Sequence, residues 1–140
     1  MVLSNPLFRV NLQLMRFPTI LNEMVLGRLP MYLNGWQADY PDPHNFVFPY
    51  MHSEGTFAQA QRYSNEVVDD LIEQAISSSS HSERQILYDQ IAGLYYDEVP
   101  SIMVSQFLGV FFLRDWIQGF VYNPIRPAYE MYGYYLGKGY

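Results

Sequence analysis

The run Gly35-Trp36-Gln37-Ala38-Asp39-Tyr40-Pro41-Asp42-Pro43 constrains this chain more than any other stretch in it. It sets one carboxylate, Asp39, between two large aromatics, Trp36 and Tyr40. Pro41 and Pro43 then restrict the backbone, because each fixes φ and removes a donor. The apolar lead-in Met31-Tyr32-Leu33 reads as a strand that empties into a rigid loop. Such a loop presents a single anion beside flat apolar walls. That suits a ligand with one positive group and some apolar surface.

The bulk chemistry narrows the partners. Fourteen acidic residues against eight basic ones give a net charge of −6, and Lys138 is the lone lysine. A phosphate-backbone partner needs a basic face, so nucleic acid is disfavoured. Cysteine is absent, which excludes disulfides, thiolate metal sites and cysteine nucleophiles. With 49% apolar residues in 140, there is material for one ordinary core. Residues 1–6 lack a basic start followed by an apolar run, so they do not read as a signal peptide. The longest apolar run, 107–113, is too short to span a bilayer.

Along the chain, Phe8, Val10, Leu12 and Leu14 alternate with Arg9, Asn11 and Gln13, the period of a half-buried strand. Thr19 is placed to cap a short helix to Leu26, with Gly27 as its stop. Residues 31–36 read as the next strand, and strand, helix, strand suggests a βαβ unit. Asp42-Pro43 fits an N-cap followed by proline at the first helical position, opening a helix to Met51. Residues 52–61 are polar and poorly patterned and read as loop. Residues 65–76 put Val68, Leu71, Ile72, Ala75 and Ile76 on one helical face. The serines 77–80 break that helix. Ser82-Glu83-Arg84-Gln85 matches a capping box, and its helix runs to Glu98 with Leu87, Ile91, Leu94 and Tyr95 inward. Pro100 ends it. Residues 102–113 read as one long strand or two short ones, 115–119 as a turn and 120–122 as a further strand. The tail from Ala128 is rich in tyrosine and glycine.

The run at 35–43, extended by Asn45-Phe46, resembles the GWxADYPDPxNF signature of the family 5 extracellular solute-binding proteins of ABC importers. Further matches follow in order: Tyr63-Ser64-Asn65 with Val68-Asp69, Arg84 with Leu87-Tyr88, Glu98-x-Pro100, Gly119-Phe120 and Asn123-Pro124. The resemblance implies an α/β fold, the C-terminal part of a two-lobed periplasmic-binding-protein-like architecture with a mixed sheet and flanking helices. Residues 1–114 would belong to the second ligand-binding lobe, and 115–140 would cross toward the first. Family members are longer, so the chain is expected to be a fragment whose first methionine is internal. The implied function is non-catalytic capture of a peptide or similar solute for an ABC permease. The implied place is periplasmic or extracellular, lipid-anchored or free. No cofactor is implied.

The resemblance makes Asp39 the partner of a ligand ammonium and turns Trp36 toward the ligand. Gly35, Gln37 and Ala38 would contribute backbone, which pairs with an extended peptide whatever its side chains. Tyr40 completes the set, although alternation turns it from some of its neighbours. Some members carry a basic residue three positions before the tryptophan, facing a ligand carboxylate. Here that position is Leu33. Either another lobe holds the ligand's C-terminus, or the ligand is not a short free peptide.

Each of these residues has a plainer reading. Asp39 could cap a turn, Trp36 and Tyr40 could be core, and Asp42 caps the helix that follows it. The rival functional reading is a small metal-dependent hydrolase on Asp39, Asp42, His44 and His52, with Glu54 nearby. It needs these groups to converge on one ion, and their spacing matches no helical two-histidine motif. A ligand-sensing lobe of a regulator is the second rival, and it calls for a DNA-binding helix pair that this sequence lacks. The tyrosine-rich tail could cross back to a first lobe or form an exposed apolar surface.

Overall fold

The computed structural model describes residues 4–5, 8–106, 110–120 and 137–138. Five helices dominate them: α1 (Phe17–Val25), α2 (His44–Met51), α3 (Thr56–Gln61), α4 (Glu66–Ser77) and α5 (His81–Glu98). Strand structure among the described residues is confined to two antiparallel pairs, β1 (Ser4–Asn5) with β2 (Phe8–Arg9), and β3 (Ile117–Gln118) with β4 (Gly137–Lys138). The expected mixed sheet is not formed among them, and neither is the βαβ unit. Residues 10–16 and 32–38 are irregular and join no strand ladder among the described residues. Leu12, Leu14 and Leu33, which alternation would turn inward, are exposed. A period-two pattern marks a face to be buried, but the ladder needs a second strand, and none of the described residues supplies one.

The helices follow local chemistry closely. α1 starts two residues before the expected cap at Thr19, because Pro18 suits the first turn, where its missing N–H costs nothing. Gly27 ends it in the left-handed region at φ +65. Gly27 N–H donates to Met24 O and Arg28 N–H to Glu23 O, each at 2.9 Å, the double bond pattern of a glycine C-cap. α4 is capped by Asn65, whose Oδ1 accepts from Val67 and Val68 N–H. The capping box of α5 sits two residues earlier than expected. Ser80 Oγ accepts from Glu83 N–H, while the Glu83 carboxylate turns to Ser78 Oγ at 2.6 Å. The spacing Ser-x-x-Glu is satisfied at 80–83, and an ionised glutamate in the first turn is favoured by the helix dipole.

The segment 52–61, expected as loop, contains α3. Its six residues hold because Phe57 and Ala58 are buried. Gly55 precedes it, and a Cβ there would collide with Phe48 O and lie 2.7 Å from Pro49 O. The turn between α2 and α3 is therefore closed to any larger residue.

The core joins α2, α4 and α5. Val68, Ile72 and Ile91 are fully buried, with Val47, Phe48, Met51, Leu71, Tyr88 and Leu94 packed around them. Five of these, Val68, Leu71, Ile72, Ile91 and Leu94, lie on the faces predicted for α4 and α5. Past α5, residues 102–106 and 110–113 form no strand among the described residues, and Ile102, Met103, Val104, Val110 and Phe112 are exposed. Asp115 and Trp116 turn as expected, but Ile117 and Gln118 enter β3. Residues 121–122 of the last expected strand, and most of the crossover assigned to 115–140, lie outside the described residues.

Candidate functional site

The loop 35–43 is held from below by Asn45, in the first turn of α2. Trp36 Nε1 donates to Asn45 O at 2.8 Å. Asp39 N–H donates to Asn45 Oδ1, also at 2.8 Å. Asn45 is itself buried, so both bonds are shielded from water. Ala38, between the two donors, is buried, and the chain closes around it. The Asp39 side chain is left outside. It is exposed, in a bend rather than a helix, and its carboxylate carries no hydrogen bond or ion pair among the described residues.

The exit of the loop is held by a different residue. Asp42 Oδ1 accepts from His44 N–H at 2.9 Å, the cap that the proline pattern predicts. The same carboxylate accepts from Arg84 Nη2 at 2.6 and 2.7 Å, and Arg84 also donates to Tyr88 Oη at 3.1 Å. The guanidinium holds the Asp42 carboxyl below its ordinary range. His44 Nδ1 meets Tyr40 Oη at 3.0 Å, and burial pushes the imidazole below its ordinary value, against the opposing pull of Asp42.

Aromatic packing continues from the loop into the helices. Trp36 meets Phe57 edge-on at 5.5 Å, and Phe57 stacks on Tyr50 at 4.4 Å. Gly35 and Trp36 form part of the wall of an apolar cavity of about 360 Å³, with Phe17, Met24, Phe48 and Phe57. Asp39, Gln37, Ala38 and Tyr40 are not in that wall. The six residues singled out in the sequence thus divide: Gly35 and Trp36 line the cavity, Ala38 is buried under the loop, and Asp39, Tyr40 and Gln37 face outward.

The metal-site geometry does not assemble. Phe48 stacks on both imidazoles, at 5.3 Å from His44 and 4.5 Å from His52, one helical turn to each side. Asp42 is engaged by Arg84. His52 is buried and turned toward Asp69 and Glu73, with its Nδ1 accepting from Glu54 N–H at 3.1 Å. Among the described residues no group of three His, Asp or Glu side chains is placed to hold a metal ion.

The sequence carries no local signal for what Asn45, Arg84 or Phe57 holds. Asn45 and Arg84 lie within the matched motifs, but nothing in the motif says what they hold.

Curated relatives match this chain in sequence. Heme-binding protein A of Haemophilus influenzae is 30% identical over 99 residues, 70% of this chain and 18% of the relative. The dipeptide-binding protein of Escherichia coli is 29% identical over 102 residues, 71% of this chain and 19% of the relative. Di/tripeptide-binding protein 4 of Pseudomonas aeruginosa is 28% identical over 109 residues, 76% of this chain and 20% of the relative. The chain is thus similar over most of its length to periplasmic solute-binding proteins, the family its motifs resemble. It spans about a fifth of the length of these relatives. Each family 5 relative is named for what it binds. No family model matches the chain, and no solved structure matches it significantly. No helix among the described residues is long and apolar enough to cross a membrane.

Proposed function

We propose that this chain supplies one wall of a two-lobed cleft that captures a peptide or similar small solute outside the cytoplasm, for delivery to an ABC permease. No bond is made or broken. The observation that carries the reading is the Asn45 clamp. It holds the Asp39 backbone while leaving the carboxylate uncommitted, beside the exposed faces of Trp36 and Tyr40. An anion held this way is organised before the ligand arrives, so little ordering cost falls on binding.

In this reading Asp39 pairs with the ligand ammonium, Trp36 packs on the ligand, and Gly35, Gln37 and Ala38 offer backbone. Capture proceeds by hinge closure, the mode by which periplasmic binding proteins enclose a ligand. The ligand favours the closed state through contacts made only there. A second lobe and the mixed sheet of the family architecture complete the cleft. The site of action is periplasmic or extracellular, with the protein free or lipid-anchored.

The test is Asp39→Asn in the complete two-lobed protein that this reading calls for. Calorimetry with free-amine and N-acetylated peptides should show a loss of about 1.5–3 kcal/mol for the free amine, the value of a charge-assisted hydrogen bond. The acetylated ligand should lose far less. Equal losses for both would remove Asp39 as the ammonium partner.

A further inference from the structure

The C-terminal ends of α1 and α3 meet where Arg62 lies against Gly27. α1 ends at Gly27 and α3 at Arg62, and both residues hold left-handed backbone, at φ +65 and +60. Glycine is the ordinary occupant of such a cap, and Arg62 fills the same role with the same two bonds: Arg62 N–H to Gln59 O and Tyr63 N–H to Ala58 O. An arginine kept where glycine would be easier calls for a reason in its side chain.

The guanidinium lies across the end of α1, so close to Gly27 that a Cβ there would collide with Nη2. It lines a cavity of about 480 Å³ together with Thr56, Gln59, Tyr63 and Ser64. No acidic residue lines that cavity, and among the described residues no carboxylate pairs with Arg62. Arg84, by contrast, is committed to Asp42. Ser64 Oγ accepts from Ser53 Oγ at 3.0 Å, which leaves its own proton for another acceptor. Thr56 belongs to this wall and also to the wall of the apolar cavity that holds Trp36 and Phe57, so the two spaces adjoin.

We propose that Arg62, with the hydroxyls of Thr56 and Ser64, is the carboxylate-recognising end of the solute site, and that the ligand is an organic acid whose apolar part occupies the adjoining cavity beside Trp36. Arginine presents a planar fork that matches a carboxylate, and hydroxyl donors beside it fix the orientation. The inference rests on the solute-binding reading above and adds the end of the ligand opposite the ammonium.

Hydrocinnamate and its neutral amide are the probes. Both carry the same phenylpropyl body, and neither has an ammonium. Each is titrated into the complete two-lobed protein that the solute-binding reading calls for, with tryptophan emission as the readout, because Trp36 borders the apolar cavity. The acid should bind roughly 10–100-fold more tightly than the amide, the range of one charge-assisted bond. Arg62→Gln should erase that preference, and Arg62→Lys should keep part of it. Thr56→Val should weaken the acid alone, and it serves as the test if Arg62→Gln loses its helical circular dichroism. Equal affinity for acid and amide, a preference that survives Arg62→Gln, or no binding of either probe overturns the assignment. Because the probes lack an amine, these outcomes do not depend on Asp39. Failure of the Asp39→Asn experiment would sink the ammonium reading alone.

Discussion

Arg84 Nη2 sits 2.6 and 2.7 Å from the two carboxylate oxygens of Asp42, tying the exit of the signature loop to the first turns of α5. The pair spans 42 positions of sequence, and it is the contact that fixes where the loop stands relative to the core. The arginine favours the ionised carboxylate, so the Asp42 carboxyl is held below its ordinary range in the folded chain. The sign of the linkage follows. The contribution is fully present above the unfolded value, about 3.9, and is lost as pH falls through the lowered folded value. Urea melts from neutral pH into acid should show wild type more stable than Asp42→Asn above about pH 4, the two converging in acid. Asp42→Ala also removes the acceptor for His44 N–H and should cost about 1 kcal/mol more than Asp42→Asn. Curves for wild type and Asp42→Asn that stay parallel down to the lowest pH would contradict the pairing.

Asn45 offers a second handle on the loop. Its side chain is the acceptor for Asp39 N–H, and it is buried. Asn45→Ala leaves that donor without its partner and should destabilise the chain by about 1–3 kcal/mol. Asn45 O still faces Trp36 Nε1, since the main chain is unchanged, so the indole should stay near its place. The expected result in chemical denaturation is a lower midpoint with only a small change in native tryptophan emission. A strongly red-shifted native spectrum would mean that the side chain, and not the carbonyl, holds Trp36.

How much of this could be read from the sequence depends on the range of the contact that decides each feature. α4 was legible because its cap, Asn65, and its face, Val68, Ile72 and Ala75, lie within three turns of one another. The stop at Gly27 and the Asp42 cap are equally local. α3 was missed because six residues carry too little periodicity, though Ala58, Gln59, Ala60 and Gln61 are good helix formers and gave the available signal. Alternation at 8–14 and apolar content at 102–113 pointed to strands, but strand pairing is decided by a distant partner that the pattern does not name. At the site, the prolines announced a rigid loop around Asp39. What holds that loop could not be read, because Asp39 to Asn45 and Asp42 to Arg84 are non-local bonds.

The left-handed cap at Arg62 sets function against stability. A non-glycine residue in this conformation costs roughly 1–2 kcal/mol, and Arg62 is exposed, so its side chain regains little of that by burial. Arg62→Gly should therefore raise the stability of the chain by about 1 kcal/mol or slightly less, after the extra unfolded-state freedom of glycine is counted. The same variant should lose the preference for hydrocinnamate over its amide. Denaturant midpoints and the emission titration are read on one preparation. A destabilised Arg62→Gly would mean that the guanidinium packs on Gly27 for structural reasons, and the trade would not hold.

The stretch beyond α5 decides how the chain behaves alone. Ile102, Met103, Val104, Val110 and Phe112 are exposed, as are Leu12 and Leu14 near the start. Apolar side chains in such number on one small chain exceed the scattered exposure usual for a monomer. A two-lobed protein would cover them with its second lobe and complete the sheet that these segments lack. Without that cover they favour self-association, because burying them against another copy removes the same apolar area from water. The purified 140-residue chain should therefore scatter light as an oligomer at tens of micromolar and become more monomeric on dilution. Its affinity for peptides should be negligible, since it offers at most one wall of the cleft, and the contacts that favour closure are missing. Light scattering and peptide calorimetry on the same sample settle the matter. A compact monomer with micromolar peptide affinity would show that one wall suffices, and the two-lobed mechanism would have to be given up.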